Sequence, residues 1–203
     1  LGLRVGYDID DPIFSKETYR THVNLDYLDR GLRQALVTSV RKFRYVFPHV
    51  DFFIASTPGL AEQIQAANRE LDARPDRPAY LWRNLVDQEA LDAAEQVSAP
   101  DRTGDVTRIG FFSGSLAHEA DFRLALPAIV ARMQDDPDLH LVIGGYAQAH
   151  DLLEPVADRV VRQPYTSYAG YLQLISEMDL VVVPLVSDRF NEAKSAIRYQ
   201  DAA

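Results

Sequence analysis

The sequence predicts an α/β fold built from doubly wound parallel sheets. Short apolar runs alternate with segments of helical periodicity, as expected for parallel strands joined by helices. Apolar residues make up 47% of the 203 residues, which is enough for a substantial core. The chain contains no cysteine, so disulfides and thiolate sites are excluded.

The first half predicts three strands with helices between them. Apolar residues at helical spacing predict a long helix from about Leu25 to Phe47. Thr57 and Pro58 supply the N-cap and first-turn proline of the next helix, GLAEQIQAANREL. Three strands are too few for a complete doubly wound sheet, so we expect a domain that lacks its opening strands. The predicted strands are LRVGYDI, DFFIAS and AYLWRNLVD.

The run VSAPDRTGDVT interrupts the alternation and predicts a linker at residues 98–106. It separates a first domain, residues 1–97, from a second domain, residues 107–203. The second domain predicts four strands and four helices in strict order and stops inside its last helix. We therefore expect it to be truncated there. Its predicted strands are RIGFFSG, LHLVIGGY, RVVRQP and DLVVVPL.

Charge and hydropathy limit the function classes. The formal net charge of -9 and the pI near 5.0 argue against nucleic-acid binding, which needs a basic face. No apolar run reaches the roughly 18 to 20 residues of a membrane span, and no signal peptide is evident. The expected location is therefore the cytoplasm.

Residues 30–50 are locally basic and aromatic and contain no acid. One interpretation is a surface for an anionic partner or lipid headgroups, which would place the protein at the inner face of the membrane. The other is a helix whose basic side chains balance an acidic neighbourhood. The sequence leaves both interpretations open.

Acidic residues follow the first predicted strand. Asp8 and Asp10 have the spacing of the haloacid-dehalogenase phosphatases, in which one aspartate attacks phosphorus. They also have the spacing with which some glycosyltransferases hold a divalent metal. A structural interpretation is that Asp8 to Asp11 cap the strand end and the following turn.

Two stretches of the second half predict anion sites. Ser113, Gly114 and Ser115 follow a strand and precede a helix, where backbone N–H groups can meet a ligand, and His118 lies in the same loop. In the closing stretch FNEAKSAIRYQD, we expect Lys194 and Ser195 in the first turn of a helix. Arg198 then shares a face with Lys194, and Asp201 follows two turns along. The competing interpretation is an ordinary amphipathic helix with a solvated face.

In this order, the motifs resemble those of glycosyltransferases of the GT-B fold, specifically the family-4-like retaining group. The resemblance implies Rossmann-like domains and transfer of a sugar from a nucleotide-diphosphate-sugar donor without an obligatory metal or other cofactor. The partners it implies are that donor and a glycan, lipid-linked or protein acceptor. The motifs are YDIDD, FFIASTPGLAEQI, LWRNLVD, IGFFSGSLAHEADF, LHLVIGG and DLVVVPLVSDRFNEAKSAIRYQDAA.

The resemblance also assigns site residues. The donor diphosphate is expected near the Gly114 loop, and Asp201 takes the position of the glutamate that binds the nucleotide ribose. His118 and Asp201 are the catalytic candidates, and Asp10 and Asp11 the acceptor-side candidates. The donor-binding candidates are Gly114, Ser115, Asn191, Lys194, Ser195, Arg198 and Asp201.

The sequence departs from the family at the paired glutamates, which in many members have seven residues between them. Aligning Asp201 with the second glutamate places Ala193 at the first, and aligning Glu192 with the first places Gln200 at the second. The stretch GSLAHEADF also lacks the Arg and Lys that hold the diphosphate in many members. A degenerate, non-catalytic binding module is therefore the alternative, and we expect this stretch of chain alone to be inactive.

Overall fold

A computed structural model describes residues 2–71, 74, 76–98, 100, 104 and 106–202. Five residues of the predicted linker, 99, 101–103 and 105, lie outside the described residues. The chain divides into a first unit, Leu1–Leu85 with Ser187–Ile197, and a second unit, Val86–Val186 with Arg198–Ala203. This division differs from the predicted one, because the first unit ends at Leu85 and includes a late segment of the sequence.

The first unit contains a three-stranded parallel sheet in the order β1-β2-β3. The strands are β1 (Gly6–Ile9), β2 (Phe52–Ala55) and β3 (Ala79–Leu81), and the helices are α1 (Lys16–Thr21), α2 (Arg30–Val46) and α3 (Pro58–Leu71). The three strands were predicted, although the first and the third are shorter than expected.

Side-chain caps set where the helices of the first unit begin. The predicted helix from Leu25 is instead a 3₁₀ turn, Val23–Tyr27, followed by α2. The Asp29 carboxylate accepts hydrogen bonds from the first backbone N–H groups of α2, which fixes the helix start. The predicted cap of α3 is confirmed, because the Thr57 hydroxyl accepts a hydrogen bond from the Leu60 N–H at 3.1 Å.

The core of the first unit packs on one face of its sheet. Phe53 and Ala55 alternate along β2 and are completely buried. The ring of Phe47 lies 4.7 Å from that of Phe53, between centroids, and 5.2 Å from that of Phe14. Leu60 of α3 completes this apolar cluster.

The second unit contains a four-stranded parallel sheet in the order β6-β5-β4-β7. Its strands are β4 (Thr107–Ser113), β5 (Leu139–Gly145), β6 (Val160–Gln163) and β7 (Leu180–Val181). The helices are α4 (Gln88–Glu95), α5 (Glu119–Asp135), α6 (His150–Leu153), α7 (Tyr168–Ser176) and α8 (Ile197–Ala202). The predicted alternation is confirmed, and α4 was not predicted.

Strand β7 is much shorter than the predicted DLVVVPL. It lies at the edge of the sheet, and Leu180 is about half exposed. The ladder reaches the Val182 N–H, which donates to the Gly110 carbonyl, and Pro184 follows without an N–H to donate.

Apolar side chains cover both faces of the second sheet, as the doubly wound prediction requires. On one face the rings of Phe111 and Phe122 stack with centroids 4.3 Å apart. On the other face Phe112 packs with Ile175 of α7 and with Met178. Strands buried on both faces explain the continuous apolar runs in the sequence.

The two central strands end in register, with Ser113 of β4 beside Gly145 of β5. Gly145 has φ +85°, and a Cβ at this position would lie 2.0 Å from the Ser113 carbonyl oxygen. The next N–H, that of Tyr146, donates to the same oxygen at 3.2 Å. Only glycine fits this end of the sheet.

We expect Gly145→Ala to lower the free energy of unfolding by more than about 1 kcal/mol, because the methyl group meets rigid backbone at a positive φ. Urea denaturation measures the change. Gly114→Ala is the matched control, since no atom lies within 4 Å of a Cβ at Gly114. Equal stabilities of the two variants would contradict the close approach.

Candidate functional site

A cavity of about 240 Å³ opens at the carboxyl edge of the second unit's sheet. Its walls come from the last residues of β4 and β5, from the residues that follow β4 and β6, from α7 and from α8. This is the edge at which open α/β sheets bind ligands. The lining residues are Phe112, Ser113, Gly114, Gly144, Gly145, Pro164, Tyr165, Thr166, Ser167, Tyr168, Tyr171, Leu174, Arg198 and Asp201.

One wall of the cavity consists of small residues from the ends of β4 and β5. The Ser113 hydroxyl donates to the Ser115 carbonyl at 2.6 Å and so folds the loop after β4 back on itself. The Cβ position of Gly114 is open space, and Gly145 is confined by backbone. The wall therefore presents backbone to the cavity, with room for a ligand to approach it.

Helix α7 begins at the cavity. The Ser167 hydroxyl caps it by accepting a hydrogen bond from the Gly170 N–H at 3.2 Å. The N-terminus of a helix carries a partial positive charge, which favours an anionic group nearby.

Arg198 and Asp201 lie three residues apart on α8 and both line the cavity. The Asp201 carboxylate accepts hydrogen bonds from the Tyr168 hydroxyl at 2.9 Å and from the Tyr171 hydroxyl at 3.3 Å. The Arg198 guanidinium donates to the Phe112 carbonyl at 3.1 Å and to the Tyr171 hydroxyl at 3.3 Å. Tyr171 thus connects the guanidinium to the carboxylate.

The surroundings of the two tyrosines raise their pKa values. Burial, and then the hydrogen bond to Asp201, raises the pKa of Tyr168 to about 12. Burial also raises the pKa of Tyr171, although the nearby Arg198 guanidinium acts in the opposite direction. Both hydroxyls are therefore protonated donors to Asp201 at neutral pH.

The predicted helix start at Lys194 is wrong, because α8 begins at Ile197. Lys194 has an extended backbone, with φ −69° and ψ 147°, so it does not share a helical face with Arg198. A 3₁₀ turn, Asn191–Ala193, precedes Lys194. A hydrogen bond fixes the end of this turn, because the Thr57 hydroxyl donates to the Ala193 carbonyl at 2.7 Å. This tertiary contact prevents the helix from starting earlier.

The predicted donor residues fall in both units. Gly114, Arg198 and Asp201 line the cavity of the second unit, and Ser115 lies in the adjoining loop. Asn191, Lys194 and Ser195 belong to the first unit. Their assignment to a donor site stays a prediction.

Within the first unit, Lys194 lies beside an acceptor-side candidate. Its Nζ is 3.6 Å from Asp11 Oδ1 and 5.1 Å from the ring centroid of Phe190. The Ser195 hydroxyl accepts a hydrogen bond from the Asn84 side-chain amide at 3.0 Å. The structure therefore brings Asp11 and Lys194 together, while Asp10 is exposed directly after β1.

His118 precedes α5 and pairs with a buried carboxylate. Its Nδ1 lies 3.0 Å from Asp121 Oδ2, and Asp121 is 1% exposed. The second carboxylate oxygen accepts a hydrogen bond from the Val186 N–H at 2.9 Å. Asp121 thus orients the imidazole, and a catalytic role for His118 stays a prediction.

Several cavity residues were not predicted as site residues. Gly144 and Gly145 end β5, and a double glycine after an apolar strand signals a close approach of backbone. Ser167 and Tyr168 belong to the run PYTSY, in which proline and serine before a helical pattern indicate a helix start.

The described part of the chain contains no group of three or more His, Asp or Glu side chains that could hold a metal ion. None of its helices is long and apolar enough to cross a bilayer. In α2, Arg44 pairs with Glu70 at 2.8 Å, whereas Arg41 and Lys42 are exposed.

Comparisons with known proteins show the fold. No protein-family model matches the sequence, and no curated protein matches it. The OtsA apo structure aligns with 99% of this chain and 50% of its own length, with a TM-score of 0.56 and 11% identity. The structure of the pneumococcal O-GlcNAc transferase GtfA, in complex with UDP and GlcNAc, aligns with 80% of this chain and 30% of its own length. The TM-score is 0.51 and the identity is 18%.

The chain therefore spans half or less of the length of these two structures. At such identities the likeness shows the fold alone. The predicted fold class, parallel α/β sheets of GT-B architecture, is confirmed.

The tyrosine network predicts a titration behaviour. Because the folded pKa of Tyr168 lies above its ordinary value of 10.0, its stabilising contribution is complete below about pH 10 and is lost as the pH rises through about 12. We expect Asp201→Asn to lower this pKa, as measured by tyrosinate absorbance during an alkaline titration, with Tyr168→Phe identifying the signal.

Tyr19 of the first unit supplies the internal control. Burial, and then the Asp11 carboxylate, raises its pKa to about 12. Its late ionisation should persist in Asp201→Asn. An unchanged Tyr168 pKa in this variant would show that the carboxylate does not act on the hydroxyl.

Proposed function

We propose that the protein is a glycosyltransferase, and that the cavity of the second unit binds its nucleotide-diphosphate-sugar donor. The observation that carries the proposal is the position of this cavity at the carboxyl edge of a doubly wound sheet. There a glycine-rich wall, a helix N-terminus, a guanidinium and a carboxylate face one space. The first three match a diphosphate, and the carboxylate matches a ribose.

The diphosphate fits the positive side of this cavity. Gly114 leaves room for phosphate oxygens to reach backbone N–H groups, and the N-terminus of α7 favours negative charge. Arg198 is held by the Phe112 carbonyl with its guanidinium in the cavity wall. As the sugar leaves, these groups stabilise the charge that develops on the diphosphate, which is an electrostatic role and needs no metal.

Asp201 suits the ribose. A carboxylate accepts hydrogen bonds from sugar hydroxyls, and Asp201 already accepts two from tyrosine hydroxyls. Ribose hydroxyls that replace Tyr168 or Tyr171 would keep the carboxylate satisfied. Donor binding therefore exchanges one set of hydroxyls for another.

The rest of the proposal rests on the sequence motif. Lys194 and Ser195, in the first unit, are proposed ligands of the diphosphate, and His118 a proposed catalytic group. A retaining outcome and a glycan, lipid-linked or protein acceptor are proposed from the resemblance, and a cytoplasmic location is proposed from composition. The presence of UDP in the GtfA structure supports UDP as the first probe.

A non-catalytic nucleotide-binding module is the second candidate. It is favoured by the carboxylates, since neither alignment places the family's glutamate pair on two acids of this sequence. The two candidates differ in turnover, because only a transferase hydrolyses or transfers the sugar of a bound donor. Release of UDP from UDP-sugars by the full-length protein, measured over hours, separates them.

We expect calorimetric titration to show that UDP or GDP binds equally well with and without EDTA. Gly114→Val should weaken binding at least about tenfold, because it adds a branched side chain to the cavity wall at a position where the Cβ meets no protein atom within 4 Å. Gly2→Val is the matched control, since its Cβ also meets nothing within 4 Å. Binding unaffected by Gly114→Val would place the nucleotide elsewhere.

Two cation variants test the charged contacts. Arg198→Gln and Lys194→Ala should each cost about 1 to 3 kcal/mol of binding free energy, as expected for a lost charge-assisted contact. The same titration measures both. Full affinity in Lys194→Ala would remove this residue from the donor site and leave the cavity assignment intact.

A further inference from the structure

His22 and Asp188 form a buried pair in the first unit. The Nδ1 atom of His22 lies 2.8 Å from Asp188 Oδ2, and the two side chains are 3% and 10% exposed. The other carboxylate oxygen accepts a hydrogen bond from the Asn191 N–H at 2.8 Å. The pair thus anchors the start of the 3₁₀ turn that precedes Lys194.

The same histidine also packs against the residue on which Lys194 rests. Its ring stacks on Phe190 with centroids 4.1 Å apart and planes 18° apart. Tyr19 meets Phe190 edge-on at 5.6 Å, so the phenylalanine ring is fixed from two directions. The Lys194 ammonium lies over this ring and beside the Asp11 carboxylate.

These contacts restrict a side chain that is otherwise flexible. Lysine has a long stem and a point charge, and ordering it costs conformational entropy. Here no helix orders Lys194, because its backbone is extended. Its side chain is nevertheless only 21% exposed, and its Nζ is 3.6 Å from Asp11, longer than a hydrogen bond of ordinary length. The ammonium is therefore localised and keeps donors for another anion.

We infer that His22 is a positioning residue for Lys194. It fixes Phe190 by stacking and the preceding turn through Asp188, and together these contacts hold the ammonium where it can receive an anionic phosphate group. The identity of that group as the donor diphosphate rests on the proposed function. The placement of Lys194 is independent of the proposed function.

Both properties of histidine are needed in this arrangement. A substitution by alanine removes the ring and leaves the buried Asp188 carboxylate without this donor. Asparagine retains a donor for Asp188 but has no ring to stack on Phe190. His22→Asn therefore separates the two contributions in a chain that keeps the polar contact.

The position of Lys194 can be measured without any ligand. Lys16, Lys42 and Lys194 are the three lysines of the chain, so reductive methylation with ¹³C gives a simple NMR spectrum of their dimethylamino groups. Lys194 should show an upfield ring-current shift from Phe190, whereas Lys16 and Lys42 are exposed references. Phe190→Leu assigns the shift.

We expect His22→Ala and His22→Asn to move the Lys194 signal toward those of Lys16 and Lys42. Arg44→Gln is the control, since it breaks a partly buried ion pair of the same unit that does not contact Lys194. A Lys194 signal unchanged in folded His22→Asn would overturn the inference. A shift of equal size in Arg44→Gln would also overturn it, by showing a general loss of packing.

Nucleotide binding supplies the second readout. If His22 acts through Lys194, then His22→Asn weakens UDP binding by no more than Lys194→Ala does, and the double variant is no weaker than Lys194→Ala alone. Additive losses would contradict the inference. If wild-type protein binds neither UDP nor GDP, the proposed function fails, while the NMR shifts still decide the placement of Lys194.

Discussion

No side chain fits between the ends of β4 and β5, and the candidate site depends on this constraint. Because Gly145 lies against the Ser113 carbonyl, the two central strands end together and leave backbone exposed at the sheet edge. The loop after β4 can then fold over its own serine, and the cavity has a wall without bulky groups. Any larger residue at this point separates the strand ends and displaces the wall.

The closing segment of the chain serves two different units. Residues up to Ile197 pack in the first unit, where buried aromatic and histidine side chains order Lys194. Residues from Arg198 onward belong to the second unit, where tyrosine hydroxyls and a backbone carbonyl order Arg198 and Asp201. In the second unit neutral donors and acceptors hold the charged groups, whereas in the first unit the Lys194 ammonium lies over a ring and beside the Asp11 carboxylate.

Much of the fold was predictable because parallel strands buried on both faces leave continuous apolar runs in the sequence. The succession of seven strands along the chain follows from these apolar runs. The cap of α3 follows from another local pattern, the threonine and proline that precede its helical periodicity. The start of α8 does not, because a hydrogen bond from Thr57 to Ala193, 136 residues away, prevents the helix from reaching Lys194. The edge position of β7 is likewise a property of the sheet that its apolar sequence does not record.

Part of the candidate site was also predictable from local patterns. Gly114 directly follows a strand, and a helical pattern carries Arg198 and Asp201. The cavity brings these three residues together. The tyrosines that hold Asp201 come from α7, about 30 residues earlier in the chain, and no local pattern pairs them with a carboxylate on another helix. The surroundings of Lys194 depend in the same way on His22, 166 residues from Asp188.

The most direct measurement is NMR mapping of backbone amides during titration with UDP. If the cavity is the donor site, the largest shifts occur at Gly114, Gly144 and Gly145, at the first residues of α7 and at Arg198. A saturable response confined to residues outside this cavity would contradict the central claim.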